Sequence, residues 1–435
     1  MRCYRVSEWG YLPYQSETHP DGIPEADALC LYREAQKQQS VLDLKGQSVL
    51  ELHHKRLRAQ QVVGVLVTEG CRLEILPKIG DESDPIARRS LVHMLARTLD
   101  LRLASSGATD AHGQETDLLE VLIRLFAEQL YRAVHRGLPR SYHAVESDLP
   151  VLRGQLNVPQ QFTRLAASPQ LLACRFDELS IDVPINQILK AATLRLGKIT
   201  RSIRNKRLLM ELSIAFADVQ DVDPLTLLAS NSVQIDRTNS AYRELLSLAV
   251  LFLRGWRQSI YRGEGRGYSL LFEMNTLFEE FVGRSLARLS LRLDATVSLQ
   301  GPRSYVLKDE VGAQVFATKP DVHLRHMMTG DVQIVDTKWK HLKQTEKGAP
   351  FGISNSDIYQ MMAYAEVYKA VEVVLVYPHT PGVAAEPGVL KRYRTVSTDR
   401  QISMATLCLS EISTVDAQLQ NIFELGSVDR QTRMG

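Results

Sequence analysis

The chain is short of net charge, of cysteine and of long apolar runs, and each shortage removes a class of function. Lysine and arginine total 52 against 50 aspartates and glutamates, a formal charge of +2. No global basic field marks it for nucleic acid, so any attraction to phosphate must be local. Five scattered cysteines (3, 30, 71, 174 and 408) show no C-x-x-C spacing. They read as reduced thiols, not as a disulfide framework or a zinc site. No apolar run approaches membrane-spanning length. Met1-Arg2-Cys3-Tyr4-Arg5-Val6 lacks the apolar core of a signal peptide, so the cytoplasm is the expected compartment. G-x-x-x-x-G-K-[ST] occurs nowhere, and no GTP or ATP hydrolysis is expected from this chain itself. Gly263-Glu264-Gly265-Arg266-Gly267 matches neither that loop nor G-x-G-x-x-G and reads as a hinge. No internal repeat is visible.

At 435 residues the chain has room for two or three domains. Residues 1–82 favour strands, at 2–6, 28–32, 48–52, 62–67 and 72–77, with turns at Trp9-Gly10 and Glu69-Gly70. Residues 83–262 read as mainly helical, with amphipathic stretches at 85–103, 116–136, 184–197 and 239–260. Residues 263–435 mix both types, with strands near 371–377, 389–396 and 402–408 and a last helix near 414–424. The expected fold class is α/β in the α+β multidomain sense: a β-rich N-terminal domain, a helical middle region and a mixed C-terminal core.

The chemistry concentrates in that core. Lys319-Pro320-Asp321 and Ile334-Val335-Asp336-Thr337-Lys338 flank a turn at Thr329-Gly330-Asp331. Residues two apart on a strand share a face, so Asp336 and Lys338 project together. Pairing the two runs brings Asp321 beside them. Two carboxylates suit Mg²⁺, which takes hard oxygen ligands and keeps several waters. A metal held there polarises a phosphoryl oxygen and acidifies a bound water. The lysine can orient that water or stabilise developing charge. Alone, such a D-x-K is more often a solvated salt-bridging hairpin than a metal site.

The flanks support the chemical reading. Upstream, apolar residues at 270, 274, 277, 278, 281 and 282 follow helical spacing and carry Glu279 and Glu280. Either can supply a third acid, with Glu279 favoured. Downstream, Ser356 reads as a helix N-cap, and Gln360 and Tyr364, four apart, share a helix face. Local positive charge comes from Lys340, Lys343 and Lys347 after the site and Arg325 before it. His53-His54 beside Lys55-Arg56-Leu57-Arg58 reads as a solvated surface, and Trp256 and Trp339 as packing residues.

The triad of Asp321, Asp336 and Lys338 resembles the PD-(D/E)xK nuclease motif. Gln360-x-x-x-Tyr364 resembles the element that follows the lysine in RecB-like nucleases. Further segments resemble the McrC family, the nuclease subunit of McrBC-type modification-dependent restriction systems. They are Val62–Val67 with Leu73–Ile79, Leu152-Arg153-Gly154-Gln155-Leu156, Phe176-Asp177-Glu178 with Asp182, Asn186 and Lys190, and Asn275–Val282. They run in order over roughly residues 55–375. The resemblance implies domains at 1–82 (docking to a partner), 83–262 (helical) and 263–435 (a restriction-endonuclease-like core). It implies a Mg²⁺-dependent DNA endonuclease that cuts methylcytosine-containing double-stranded DNA. Its partner would be a McrB-like AAA+ GTPase whose hydrolysis it stimulates. Asp321, Asp336 and Glu279 would hold metal, Lys338 would act on water, and Gln360 would assist. Lys340, Lys343, Tyr364 and Arg325 would lie near DNA, and paired nuclease domains would suit double-strand cutting. The alternatives are a repair or recombination nuclease with an ATP-driven partner, and an inactive regulator of an AAA+ ring.

Overall fold

The computed structural model describes residues 1–39, 48–79, 84–100, 117–223, 226–227, 233, 235–237, 239–260, 267–342, 352–383, 385–396 and 398–424. They belong to two compact units, Met1–Leu118 with Gln258–Gly435, and Leu119–Arg257. Residues 1–82 and 263–435 thus both lie in the first unit. The hinge expected at 263–267 falls, but for Gly267, outside the described residues.

The chain begins with β1 (Arg2–Ser7), β2 (Tyr11–Pro13), α1 (Glu25–Gln39), β3 (Leu50–His53), β4 (Arg56–Ala59), β5 (Val62–Val67), β6 (Cys71–Leu76) and α2 (Asp84–Thr98). Every strand residue of β5 and β6 is buried, and period-two alternation sorts the side chains of β6 between two faces. Cys71, Leu73 and Ile75 join Ala28, Leu31 and Ala35 of α1 in one core. Arg72 and Glu74 point the other way, where burial demands partners. Arg88 of α2 donates twice to Glu74, each at 2.7 Å. Arg72 pairs with Asp117, and Glu74 accepts the Leu118 N–H at 2.8 Å. The strand expected at 28–32 is instead part of α1. A short apolar run fits a buried strand and a buried helix equally, and here positions 28, 31 and 35 meet the sheet at helical spacing.

The second unit is built from α3 (Leu118–Arg136), β7 (Ser141–Leu149), β8 (Gln155–Leu156), α4 (Val158–Thr163), β9 (Leu172–Ser180), α5 (Pro184–Ile199), α6 (Ile203–Ala215) and α7 (Arg243–Ile260). Phe126 and Phe252 meet edge to face at 5.9 Å in its core. The buried Glu120 accepts from Thr200 Oγ1 at 2.6 Å and from the Arg201 N–H at 2.7 Å. The mainly helical reading omits a three-stranded antiparallel sheet, ordered β7-β9-β8. Its strands hold exposed charged residues with little apolar alternation, so hydrophobic periodicity could not reveal them.

Back in the first unit come β10 (Tyr268–Glu273), α8 (Met274–Leu289), β11 (Ala295–Leu299), β12 (Ser304–Lys308), β13 (Gln314–Thr318), β14 (Val322–His326), β15 (Val332–Thr337), α9 (Asn355–Val367), β16 (Glu372–Pro378), β17 (Gly388–Arg394), β18 (Gln401–Leu407) and α10 (Val415–Phe423). β10 completes the N-terminal sheet, ordered β1-β6-β5-β10. Leu270, expected in a helix, therefore belongs to a strand, and α8 starts only at Met274, capped by the Glu273 carboxylate. The β5–β10 contact requires Gly64, at φ +129, because a Cβ there would stand 1.9 Å from the Leu270 carbonyl oxygen. Gly64→Ala is expected to lower stability by about 2 kcal/mol or more, read as a shifted urea midpoint; an unchanged midpoint would refute the account.

The larger sheet has the order β11-β14-β15-β16-β18-β17. β15, β16 and β18 run parallel, while β14 is antiparallel to β15. α9 covers one face through Met361, Tyr364 and Ala365 against Ile334, Val373 and Leu375. On the other side Gly283 of α8 lets that helix approach Leu299 and Val322 closely. The carboxylate-bearing strands thus run between two helices, each with its own polar residues to contribute.

Candidate active site

The β14–β15 hairpin forms as its sequence suggests, with Gly330 at φ 74 in the turn. Val322 pairs with Val335, so the next step of the antiparallel register sets Asp321 opposite Asp336. Asp321 Oδ2 accepts the backbone N–H of Thr337 at 2.7 Å and its hydroxyl at 2.8 Å. The residue between Asp336 and Lys338 therefore fixes the other carboxylate. Asp336 is 2 % exposed, and Lys338 Nζ lies 2.8 Å from its Oδ2.

α9 adds the polar wall. Its N-cap is Ser354, not Ser356, closed by a capping box with Asp357. Gln360 Oε1 accepts from Lys338 Nζ at 3.4 Å. Its amide donates to the Tyr364 hydroxyl at 2.8 Å, which donates to the Lys319 carbonyl at 3.2 Å. Tyr364, expected near DNA, is 3 % exposed. Its i, i+4 partner Gln360 occupies the site side, leaving the phenol to brace the turn before Asp321.

α8 supplies the third carboxylate. Burial, then Asp321 and Glu280, push the Glu279 carboxyl up to about 7, against a hydrogen bond from Gln300. Glu280 instead pairs with Arg284 one turn along, at 2.8 Å. Gln300 was not visible in the sequence. It lies in the left-handed region at φ 52, a cost non-glycine residues bear chiefly at constrained sites. Its amide donates to Glu279, its Oε1 accepts from Lys319 Nζ at 2.6 Å, and its N–H donates to the Asp321 carbonyl at 2.7 Å. No motif surrounds it, and a backbone angle leaves no signature in one sequence.

The remaining candidates lie farther out. Lys340 Nζ donates to the Gly352 carbonyl at 2.9 Å. Arg325 is exposed on β14, four residues from Asp321 or about 13 Å at strand rise. Lys343 and Lys347 fall outside the described residues, as does the side chain of Trp256. Trp339 is buried, as expected. His53, read as a solvated surface residue, lies edge-on to Tyr11 and 3.3 Å from Glu51.

The electrostatics are those of an anion cluster beside one cation. Burial, then Asp321, push the Asp336 carboxyl up to about 7, although Lys338 opposes the shift. Burial pulls Lys338 down, but Asp336 and Asp321 outweigh it and its pKa is raised. Lys338 is therefore a charged donor. Among the described residues no group of three or more histidine, cysteine or acidic side chains is placed to hold a metal ion by itself. What the site offers is carboxylate oxygen. Its crowded negative charge suits Mg²⁺, which leaves much of its shell to water and phosphate oxygens.

The comparisons agree with this architecture. A chain from the refined half-complex of the tetradecameric assembly of Thermococcus gammatolerans McrB AAA+ hexamers with bound McrC is similar over 96 % of this chain and 98 % of its own. It has a TM-score of 0.74 and 20 % identity. A chain of the Thermococcus gammatolerans McrBC complex is similar over 66 % of this chain and 87 % of its own, with a TM-score of 0.55 and 24 % identity. At these identities the likeness is one of fold. No curated protein matches the sequence. The family model for the McrBC 5-methylcytosine restriction system component matches residues 57–378 and so includes the hairpin, α8 and α9; the chain belongs to that family.

Proposed function

We propose that this chain is the DNA-cutting subunit of a McrBC-like restriction complex, a Mg²⁺-dependent endonuclease acting on methylcytosine-containing double-stranded DNA. The observation that carries the reading is Asp321 hydrogen-bonded to Thr337, the residue between Asp336 and Lys338, with Lys338 Nζ 2.8 Å from Asp336. Asp321 and Asp336 would hold the metal, and Glu279, toward the same cluster on α8, would hold it or one of its waters. When bound, Mg²⁺ polarises the scissile phosphate and lowers the pKa of a water. Lys338, charged and steered by Gln360, donates to the attacking water or to the phosphoryl oxygens as charge builds there. Thr337 and Gln300 hold Asp321 and Glu279 in register, so less reorganisation is needed during reaction.

The motor and the base-reading module would reside on a McrB-like AAA+ GTPase whose hydrolysis this chain stimulates. Paired nuclease subunits would then cut both strands. The test is co-purification with the neighbouring AAA+ protein, followed by cleavage of methylated and unmethylated duplexes. The expected result is cutting of methylated DNA alone, dependent on GTP and stopped by EDTA. Equal cutting of unmethylated DNA driven by ATP would replace restriction with repair. Stimulated GTPase without cutting would leave only a regulator.

A further inference from the structure

Glu8 directly follows β1, yet it is 1 % exposed. Its Oε1 accepts the Trp339 indole N–H at 2.6 Å and the Lys78 backbone N–H at 2.9 Å. Its Oε2 has no hydrogen-bond partner among the described residues. Burying a carboxylate this completely is costly. Glutamine would offer the indole the same acceptor at lower cost, and nothing in the proposed chemistry uses Glu8.

Trp339 is adjacent in sequence to Lys338, and its ring meets Phe278 edge to face at 5.3 Å. Phe278 in turn precedes Glu279 on α8. One indole, 6 % exposed, thus belongs to the residue after the lysine and touches the residue before the helix acid. A second strut runs alongside. The Gln61 side chain, just before β5, donates to Asn275 Oδ1 at 3.1 Å and to the Trp339 carbonyl at 3.5 Å. The Gln61 carbonyl accepts the Met274 N–H at 3.3 Å.

We infer that Glu8 is a positioning residue for cleavage: through Trp339 it sets Lys338 and Glu279 against each other, making the N-terminal sheet part of the catalytic apparatus. The inference rests on the nuclease reading above. Misplacement of a reacting group by 1 Å costs about a hundredfold in rate, so loss of this strut belongs in kcat and not in DNA affinity.

The test uses the full chain with its AAA+ partner, Mg²⁺ and methylated DNA, comparing Glu8→Ala, Glu8→Gln and Trp339→Phe with Lys338→Ala. Glu8→Ala and Trp339→Phe are each expected to lower kcat by roughly tenfold to a hundredfold, with KM for DNA within about twofold of the parent. Glu8→Gln keeps the acceptor and is expected to restore most of the rate. In a Trp9→Phe, Trp256→Phe background, Trp339 emission should shift to the red in Glu8→Ala and stay in place in Glu8→Gln. If Lys338→Ala still cuts, the nuclease reading fails. If Lys338→Ala is inactive while Glu8→Ala shows the shifted emission and cuts at the parental rate, the positioning role is wrong. Should Glu8→Ala not fold, Trp339→Phe with parental kcat overturns it equally.

Discussion

Lys338→Ala and Asp336→Ala are each expected to abolish DNA cleavage, a loss of at least about a hundredfold to a thousandfold on the scale of single transition-state donors. The expectation comes from geometry. Lys338 Nζ has Asp336 at 2.8 Å and Gln360 at 3.4 Å, so it is held at the carboxylate cluster. Both variants should fold. Asp336 is already pushed up to about 7 by burial and Asp321, so it can take up a proton when its lysine is removed. The alanine at 336 removes a crowded charge from a strand whose backbone pairs on both sides. Single-turnover cleavage of methylated duplex, beside partner GTPase stimulation and circular dichroism, separates the outcomes. Wild-type cutting by Lys338→Ala would mean that the site has been misassigned, whereas lost GTPase stimulation would mean that the variant is damaged elsewhere.

The second large effect concerns adjacent acids that the sequence alone did not separate. Glu279→Gln is expected to reduce cleavage roughly a hundredfold, as removal of one oriented electrostatic group does. Glu280→Gln should stay within about twofold. Glu279 feels Asp321 and Asp336 and is held by Gln300, while Glu280 reaches along the helix to Arg284. An i, i+4 surface pair of that kind is worth only a few tenths of a kcal/mol. Mg²⁺ titrations of the two variants refine the test, since only Glu279→Gln should require more metal. Equal losses in both variants would show that the helix as a whole, and not one carboxylate, matters.

The parts of this fold that were legible are those whose signal is local. The β5–β6 hairpin joins two apolar-rich strands across a turn glycine, the β14–β15 hairpin combines alternation on β14 with one, and both form where expected. Gln360 and Tyr364 share a helix because their spacing says so, yet spacing cannot tell which of them turns inward. The 28–32 segment was misread because a run of a few apolar residues lacks a period, and Leu270 because it falls in phase with the helix that starts only at Met274. Gln300 and Glu8 act through contacts at long separation; Glu8 and Trp339 are 331 residues apart. No window along one chain joins such residues, and only the folded sheet order brings them together.

The pairing of β5 with β10 has a consequence for how the protein is made. Val67 must find Tyr268, and at about 5–20 residues per second a ribosome needs roughly ten to forty seconds to deliver the second strand after the first. Throughout that interval Val62-Val63-Gly64-Val65-Leu66-Val67 has an open edge, uncharged and β-branched, of the kind that recruits foreign strands. Leu119–Arg257, which forms a compact unit of its own, is made in the meantime. The nascent chain thus passes through a period in which its most buried hairpin is its most adhesive surface, and chaperone demand should peak there and fall once β10 emerges.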